Sequence, residues 1–347
     1  MKIAAVPETI VERLIALAGL APTPIIDTFH AVIVARSVMV ATRLGVFEAV
    51  AAGAATAAEI AQRLDADARA TEKLLNVLVA IGYLRCRAGR YTVTRLARRW
   101  LLRDSPHSIH DNMLLRFMEW EAIETVEDFV RSGEPLDVHD RIRDDQWETY
   151  QRGMRCLARL SAGEVARRVK LPPEPRTMLD VGGGHGAFAV AFCRRHGRLA
   201  ATVLDLPAAV EKAAPILAEE EMGARVVHRA GDALTEDLGE DDWDLIFMSH
   251  LVHHFDAEAN AALLSRAARA LRPGGVVAIL DVLRPASPDA SNQTGALLDL
   301  YFAVTSNSGT WSGEEISGWQ SDAGLRPGKS VPLRTAPGIT VLTASKS

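Results

Sequence analysis

The sequence has few cysteines and no large excess of charge of one sign, and each of these features excludes some classes of function. Cys86, Cys156 and Cys193 are its three cysteines among 347 residues, and they are too scattered for a zinc motif or a disulfide framework. So sparse and odd a count is typical of a reducing compartment, and we expect a cytoplasmic protein. A net charge of −5 offers no general attraction for nucleic acid or for an anionic membrane.

Long uninterrupted hydrophobic segments are missing as well. Arg36 and Arg43 interrupt the longest apolar stretches, so neither a transmembrane helix nor a membrane partner is expected. Glu8 and Glu12 occupy the N-terminal segment, where a signal peptide would carry positive charge. The remaining composition, 48% hydrophobic and 24% charged, is that of a globular protein long enough for two domains.

The segment Met178–Phe188, Met-Leu-Asp-Val-Gly-Gly-Gly-His-Gly-Ala-Phe, combines an apolar strand with a glycine-rich turn and the start of a helix. Gly182, Gly184 and Gly186 permit a tight turn and close approach to a cofactor, because no Cβ intrudes. Asp205 ends the next strand, 205 − 186 = 19 residues later, where a doubly wound fold holds ribose hydroxyls. These features predict an α/β nucleotide-type site for NAD or S-adenosylmethionine.

The elements that follow distinguish the two cofactors. Gly231-Asp232 closes a third strand, and the fourth strand, Trp243–Met248, leads into the histidine-rich segment Ser249–Asp256. Leu271–Gly275, Leu-Arg-Pro-Gly-Gly, precedes a further apolar strand. In this order the elements resemble the Rossmann-like class I S-adenosylmethionine methyltransferases. An NAD site predicts neither the Gly-Asp pair nor the Pro-Gly-Gly turn.

The N-terminal part has the pattern of a winged helix. Thr56–Glu59 is a capping box, and Asp67–Ile81 has apolar residues at helical spacing. Tyr83–Thr94 has the pattern of a β-hairpin. Arginines in and after the hairpin favour a DNA-binding module, but the second helix has only Arg69 and Lys73 as cations. Small-molecule O-methyltransferases of plants and of bacterial antibiotic pathways use such a module for dimerisation, and the chain resembles that family from about residue 25 to its end. We therefore expect a homodimer and no nucleic-acid partner.

The resemblance implies an α/β fold, with a Rossmann-like class I methyltransferase domain preceded by a mainly α winged-helix dimerisation domain. Residues 1–105 would form the dimerisation domain, 106–172 a helical connector, and 173–347 the catalytic domain. The implied cofactor is S-adenosyl-L-methionine, with the carboxylate of Asp205 on its ribose and that of Asp232 at its adenine. The implied cofactor-binding residues are Asp180, Gly182, Gly184, Asp205, Asp232 and Ser249, although many relatives have lysine in place of Ser249.

The family's catalytic histidine falls at His253, which would deprotonate the acceptor hydroxyl, and its first acidic partner falls at Asp281. Histidine suits this task because its side chain titrates near neutral pH. The chain departs from the family in having His254 where aspartate is usual. Asp281 is also shorter than the usual glutamate, and the second acidic position falls near Thr310. The resemblance thus implies that the base, His253, has one carboxylate partner where the family's base has two.

His250, His253 and His254 stand at i, i+3 and i+4, a spacing that predicts one helical face. With Asp281 or Asp299 they could form a metal site of two histidines and a carboxylate, or they could pack around the pocket without a metal; we expect no metal. The acceptor site would be lined by side chains of the connector and of the segment after Asp281, each of which could equally be ordinary core. The residues assigned to it are Met113, Phe117, Trp147, Met154, His250, Tyr301 and Asn307.

The sequence therefore predicts methyl transfer to a hydroxyl of a small aromatic or polyketide-like acceptor. Two alternatives stay open at this point. One is C-methylation of an α-keto acid or a phenolic carbon, with or without a metal. The other is a winged-helix regulator that binds S-adenosylmethionine as a ligand. The sequence does not identify the acceptor molecule.

Overall fold

The computed structural model describes residues 4–136, 138–285, 287, 293–306 and 308–347, with the backbone alone at residue 140. These residues form two compact units, one up to Phe117 and one from Met118 onward. Each unit is described by itself below. The division at 117/118 falls inside a helix, and the domain limits expected at residues 105 and 172 remain predictions.

The first unit is mainly helical. Its helices are α1 (Ile10–Leu17), α2 (Thr23–Ile25), a π-helical turn (Ile26–His30), α3 (Ala31–Arg43), α4 (Val46–Ala51), α5 (Ala57–Leu64), α6 (Ala68–Ala80), α7 (Arg95–Trp100) and the first part of α8 (His110–Ile123). Strands β1 (Leu84–Arg87) and β2 (Arg90–Val93) form the hairpin of the winged helix. The predicted capping box is present, because the Glu59 N–H donates to Thr56 Oγ1 and the Thr56 N–H to Glu59 Oε2.

A small apolar core centred on Phe47, Leu75 and Leu78 holds this unit together, whereas its N-terminal helices expose large apolar side chains. Among the described residues one stretch, Thr23–Arg43, is long and apolar enough to span a membrane by length and composition, and 22% of its apolar window is buried. A single such stretch is weak evidence for a membrane span. Its arginine at position 43 packs its guanidinium carbon 3.8 Å from the Phe117 ring centre, a cation–π contact.

The second unit begins within α8 and consists of helices on both faces of a mostly parallel sheet. Its further helices are α9 (Val126–Ser132), α10 (Val138–Arg141), α11 (Trp147–Arg168), α12 (Ala187–Arg195), α13 (Pro207–Ala218), α14 (Ala257–Ala270), α15 (Gln293–Thr305) and α16 (Gly313–Asp322). Its strands are β3 (Thr177–Val181), β4 (Ala200–Asp205), β5 (Val226–Ala230), β6 (Trp243–Ser249), β7 (Leu271–Val282), β8 (Arg326–Pro327), β9 (Val331–Pro332) and β10 (Ile339–Ser345).

The strand order is β5-β4-β3-β6-β7-β10-β8, with β9 paired to β10. Strands β3 to β7 are parallel to one another, and β10 runs antiparallel to β7. The chain moves outward from β3 through β4 to β5 and then returns to β6 on the other side of β3. This reversal creates a crevice between the carboxyl ends of β3 and β6, where ligands bind in doubly wound folds.

Apolar clusters cover both faces of this sheet. Phe247 of β6, for example, is fully buried and packs 5.2 Å from Phe188 and 5.4 Å from Phe192 between ring centres. Strands that are covered on both faces have nearly continuous apolar sequences. For this reason they could be predicted from the sequence. The expected fold class, a Rossmann-like α/β domain preceded by a mainly α winged-helix domain, is confirmed.

Candidate active site

The carboxyl ends of β3 to β6 meet at one edge of the sheet, and the residues predicted to bind the cofactor all lie there. They occupy the end of β3 and its glycine turn, the end of β4, the loop after β5 and the end of β6. In that order they are Asp180, Gly182, Gly184, Asp205, Asp232 and Ser249. The strand order thus brings together residues that are far apart in the sequence.

The turn after β3 requires glycine at two positions. Gly182 has a φ of 66° and Gly184 a φ of 46°, in the left-handed region that side chains disfavour. A Cβ at Gly184 would also lie 2.6 Å from Gln151 Oε1, and one at Gly182 would lie 2.7 Å from Leu251 Cδ1. The turn therefore consists of bare backbone that neighbouring side chains already approach closely.

The carboxylate of Asp205 is tied to this turn. Its Oδ2 accepts a hydrogen bond from the Gly184 N–H and its Oδ1 one from the Leu206 N–H, both at 2.7 Å. Burial raises the pKa of Asp205, against the opposing effect of these donors and of His228. Each oxygen keeps a lone pair that a hydroxyl group can use.

Asp180, at the end of β3, is fully buried. Neither of its carboxylate oxygens has a hydrogen-bond partner in the described part of the chain. Burial, together with the negative charge of Asp205, outweighs the lowering effect of the nearby Ala189 N–H and raises the pKa of Asp180 to about 8. Buried polar groups are normally paired, so this carboxyl group is suited to a hydrogen bond with a ligand.

Asp232 and Ser249 complete the edge. Asp232 is exposed, and its Oδ1 accepts a hydrogen bond of 2.8 Å from the Leu234 N–H. Ser249 is half-buried as the last residue of β6. Both side chains are accessible from the open side of the crevice.

His253 and Asp281 form a buried pair beside this edge. His253 follows β6 in a short 3-10 turn and is 2% exposed, and Asp281 lies near the end of β7 and is 1% exposed. His253 Nδ1 lies 2.9 and 3.1 Å from the two carboxylate oxygens of Asp281. Burial alone would raise the pKa of Asp281, but the charge and hydrogen bonds of His253 and His250 hold it well below its usual range. The carboxylate therefore stays ionised, which fixes the hydrogen of His253 on Nδ1 and leaves Nε2 free to accept a proton.

The predicted helical face of three histidines is wrong. His250 has a φ of 51°, Val252–His254 is a single 3-10 turn, and α14 begins only after Asp256 caps it. An N-cap residue has extended backbone, so helical spacing cannot continue back through this cap to His250. The rings are still close together, with centres 4.2 Å apart for His253 and His254 and 6.2 Å apart for His250 and His253.

His250, His253 and Asp281 also bring three possible metal-ligand atoms within 4.8 Å of one another. However, Asp281 Oδ1 already accepts hydrogen bonds from His253 Nδ1 and from the Val282 N–H. His250 Nδ1 lies 3.6 Å from the same oxygen. Hydrogen bonding and charge thus account for this arrangement, and we assign no metal ligand among the described residues.

Helix α15 contacts His253 from another side. The Phe302 ring stacks on the His253 ring, with centres 3.8 Å apart and planes 25° apart. Ser306 Oγ lies 2.9 Å and Ser308 Oγ 3.1 Å from the His253 carbonyl oxygen. At the family's second acidic position, Thr310 donates from both its N–H and its hydroxyl to Asp299 Oδ1.

The residues predicted for the acceptor site lie in different parts of the structure. Trp147 is buried and Met154 half-buried on α11, Tyr301 is half-buried on α15, and His250 is half-buried beside Asp281. Met113 and Phe117 belong to the first unit, and Asn307 lies outside the described residues. Assignment of all seven to the acceptor site remains a prediction.

The sequence interpretation missed a polar group next to this site. His139 Nε2 lies 3.0 Å from the Tyr150 hydroxyl, and the His139 ring packs edge-on against His254 with centres 4.5 Å apart. Burial and the neighbouring imidazoles of His253 and His139 hold the pKa of His254 well below its usual range, so this ring is neutral. The sequence predicts that Tyr150 lies on a helix, which is α11. It does not indicate that this helix packs against the loop after β6.

Comparison with known proteins agrees with this architecture. Residues 134–326, more than half of the chain, match the model of the O-methyltransferase domain, and residues 26–103 match that of the O-methyltransferase dimerisation domain. The solved structure of human N-acetylserotonin methyltransferase in complex with SAM has a TM-score of 0.81 at 21% identity, covering 99% of this chain and 100% of that one. This likeness defines the fold.

Curated relatives agree with the domain matches. A 3-hydroxy-5-methyl-1-naphthoate 3-O-methyltransferase of Streptomyces sahachiroi is 31% identical over 332 residues, which cover 93% of this chain and 94% of that protein. An O-demethylpuromycin-O-methyltransferase of Streptomyces alboniger is 28% identical over 319 residues, 86% of this chain and 82% of that protein. The chain belongs to the O-methyltransferase family, whose enzymes use S-adenosylmethionine.

Proposed function

We propose that this chain transfers the methyl group of S-adenosylmethionine to a hydroxyl of a small aromatic acceptor, with His253 as the general base. The observation that carries the proposal is the buried pair of His253 and Asp281 beside the carboxyl edge of the parallel sheet. Such a pair provides a neutral imidazole that is oriented and ready to accept a proton.

The residues at the sheet edge fit the cofactor. The bare backbone of Gly182 and Gly184 would admit its methionine part, and Asp205 would accept hydrogen bonds from its ribose hydroxyls. The buried carboxyl group of Asp180 would form a hydrogen bond with the cofactor, while Asp232 and Ser249 would lie on the adenine side and at the β6 end. When bound, the cofactor supplies an electrophilic methyl group on a cationic sulfur.

The chain's own task is then to deprotonate and position the acceptor. Asp281 holds the hydrogen on His253 Nδ1, so that Nε2 would take the proton of the acceptor hydroxyl. Burial of the pair limits competition from water. The carboxylate of Asp281 balances the positive charge that His253 acquires.

The acceptor proposed here is a hydroxylated aromatic or polyketide-like molecule, which includes hydroxy-aryl acids. Two observations favour this class. The rings of Phe302 and His254 pack against His253, and the Tyr301 ring packs in turn against Phe302. The Streptomyces sahachiroi relative is named for a hydroxynaphthoate.

The test is to identify the product. Purified protein would be incubated with S-adenosylmethionine labelled with ¹³C in its methyl group and a panel of hydroxynaphthoates, phenols and α-keto acids. NMR then distinguishes a methoxy carbon from a carbon-bound methyl group. We expect methoxy products from hydroxy-aryl acceptors, unchanged by pre-treatment of the enzyme with a chelator. A carbon-bound methyl group, or dependence on added iron, would replace this proposal by C-methylation.

We also propose that the chain acts as a homodimer assembled through its N-terminal unit. The match of residues 26–103 to a dimerisation domain supports this. So do the exposed apolar side chains on α1 and on the stretch from residue 23 to 43, since large apolar patches mark interaction sites.

A further inference from the structure

His253 is held on one edge by a carboxylate and on one face by an aromatic ring. The edge contact is with Asp281, as described above. The face contact is with Phe302, whose ring centre lies 3.8 Å from that of His253 with the planes 25° apart. A ring stacked this closely restricts rotation of the imidazole about its χ2 angle.

The end of helix α15 is fastened to the same residue. Ser306 Oγ lies 2.9 Å from the His253 carbonyl oxygen and 2.6 Å from that of Phe302. Ser308 Oγ lies 3.1 Å from the His253 carbonyl and 2.9 Å from that of Phe255. These two hydroxyls join the segment directly after α15 to the loop that carries His253, which fixes the stacking partner and the stacked ring relative to each other.

The second carboxylate expected from the family is absent from this arrangement. Within the described part of the chain, Asp281 is the one carboxylate bonded to His253, and Asp299 is engaged with Thr310 instead. When His253 takes a proton, one carboxylate therefore has to balance the new charge. A cation over an aromatic face within about 6 Å of its centre is attracted to the ring, most strongly where water is excluded.

We propose that Phe302 is a positioning residue for catalysis that takes over part of the role of the missing carboxylate. Its ring holds the imidazole of His253 in place, and its π face stabilises the imidazolium that forms when the acceptor O–H bond breaks and the Nε2–H bond forms. The proposal rests on the proposed function of His253 as the base. It adds a group that never touches the transferred methyl group.

Other titratable groups around the ring must be considered in any test. Asp281 contacts the imidazole from β7, and His250 and His254 flank it on the same loop. His139 of α10 packs on His254. None of these side chains is altered by a substitution at Phe302, so a change in the titration of His253 reports on the stacked ring.

The alternative is that Phe302 is merely a wall of the acceptor pocket. A wall residue predicts a higher KM in a leucine variant, with kcat and the pH profile unchanged. A ring that stabilises the imidazolium predicts a lower kcat and a shift of the acid limb of kcat/KM toward lower pH, with KM nearly constant. The two roles are therefore separable.

The first experiment requires no acceptor. ¹⁵N–¹H NMR would follow the titration of the His253 ring in the wild type, Phe302→Leu and Phe302→Tyr, with His253→Ala identifying its signals. We expect Phe302→Leu to move this titration to lower pH by about 0.5 to 1.5 units, the range that corresponds to a desolvated cation–π contact. Phe302→Tyr, which keeps the aromatic face, should restore the wild-type titration, and Phe302→Met, close in volume, substitutes if leucine prevents folding.

Kinetics with an acceptor from the product test complete the experiment. Phe302→Leu should lower kcat about 3- to 30-fold, with KM changed less than about 3-fold. Leu300→Ala, an exposed residue of the same helix, should behave as wild type. Superimposable titrations and an effect on KM alone would overturn the inference. If His253→Ala turned over normally, the proposed function itself would fail, whereas loss of activity in His253→Ala with a wild-type Phe302→Leu refutes this inference alone.

Discussion

At the scale of single residues, the account depends on how Asp281 holds His253. Asp281→Asn would remove the negative charge that fixes the hydrogen on Nδ1 and balances the protonated ring. We expect kcat to fall about 10²- to 10⁴-fold, the range for an impaired base. Binding of S-adenosylhomocysteine, measured by calorimetry, should stay close to wild type.

Asp299→Asn is the matched control. This carboxylate of α15 is bonded to Thr310 rather than to His253. The control should keep most of the activity. An equal loss in Asp299→Asn would mean that a second carboxylate supports the base after all.

The family resemblance implied which residue is the histidine of the pair and which is the acid, because the strands on either side of them could be aligned with the family's motifs. The sequence could not predict the stacking of Phe302 or the hydroxyl contacts of Ser306 and Ser308. Those contacts depend on how α15 packs against a loop about fifty residues earlier. No periodicity in the sequence encodes that packing.

At the scale of elements, the glycine turn after β3 can be tested by Gly184→Ala. The new Cβ would meet Gln151 Oε1 at 2.6 Å, and a φ of 46° is strained for alanine. We expect affinity for S-adenosylhomocysteine to fall about 5- to 150-fold by calorimetry, as roughly 1–3 kcal/mol of strain would cause.

Two further variants serve as controls for this test. Gly318→Ala, in α16 with open space around it, should bind like wild type. Gln151→Ala combined with Gly184→Ala removes the clash and keeps the backbone strain, so partial recovery is expected. Wild-type binding by Gly184→Ala alone would show that the turn has no role in holding the cofactor.

Glu164 of α11 connects that helix to the segment between β9 and β10. Its carboxylate accepts hydrogen bonds from the N–H groups of Arg334 and Thr335 and pairs with Arg168. Burial alone would raise the pKa of Glu164. The hydrogen-bond donors have the larger effect and lower this pKa from about 4.5 to about 2. The stabilisation is therefore complete above pH 4.5 and is lost as the pH falls toward 2.

Glu164→Gln should lower the free energy of unfolding by about 2 kcal/mol at pH 7. The difference from wild type should shrink at pH 3, where the wild-type carboxylate has lost part of its advantage. Urea unfolding at the two pH values measures this, with the exposed Glu148→Gln of the same helix as control. A difference that is constant between pH 7 and pH 3 would contradict the lowered pKa.

Most elements could be predicted from apolar runs and caps, such as the capping box of Thr56 and the buried strands β3 and β6. The loop after β6 could not. Its left-handed His250 and its 3-10 turn arise where a strand must turn sharply before α14. Helical spacing of its histidines suggested the wrong local structure there.

At the scale of the whole molecule, the exposed apolar face of the N-terminal unit should be the subunit contact. Phe29→Asp combined with Val32→Asp places two charges on a face where both residues are exposed. We expect a dimeric wild type and a monomeric variant by light scattering coupled to gel filtration. Val130→Asp, an equally exposed apolar residue of α9, should leave the mass unchanged. A dimeric double variant would place the contact elsewhere.

The division into a winged-helix part and a doubly wound part could be predicted from the order of the motifs. The acceptor could not, because the surroundings of His253 depend on side chains such as His139, Tyr150 and Phe302, which different elements contribute. Pocket shape is a property of tertiary packing, and a single sequence carries little of it. The product test described above addresses this gap directly.

The central claim is that His253 is the base of an S-adenosylmethionine-dependent O-methyltransferase. The most direct measurement is the turnover of His253→Ala with a hydroxylated acceptor, alongside its affinity for S-adenosylhomocysteine. We expect a fall in kcat of about 10²- to 10⁴-fold with cofactor affinity unchanged. An unchanged kcat, with cofactor binding intact, would contradict it.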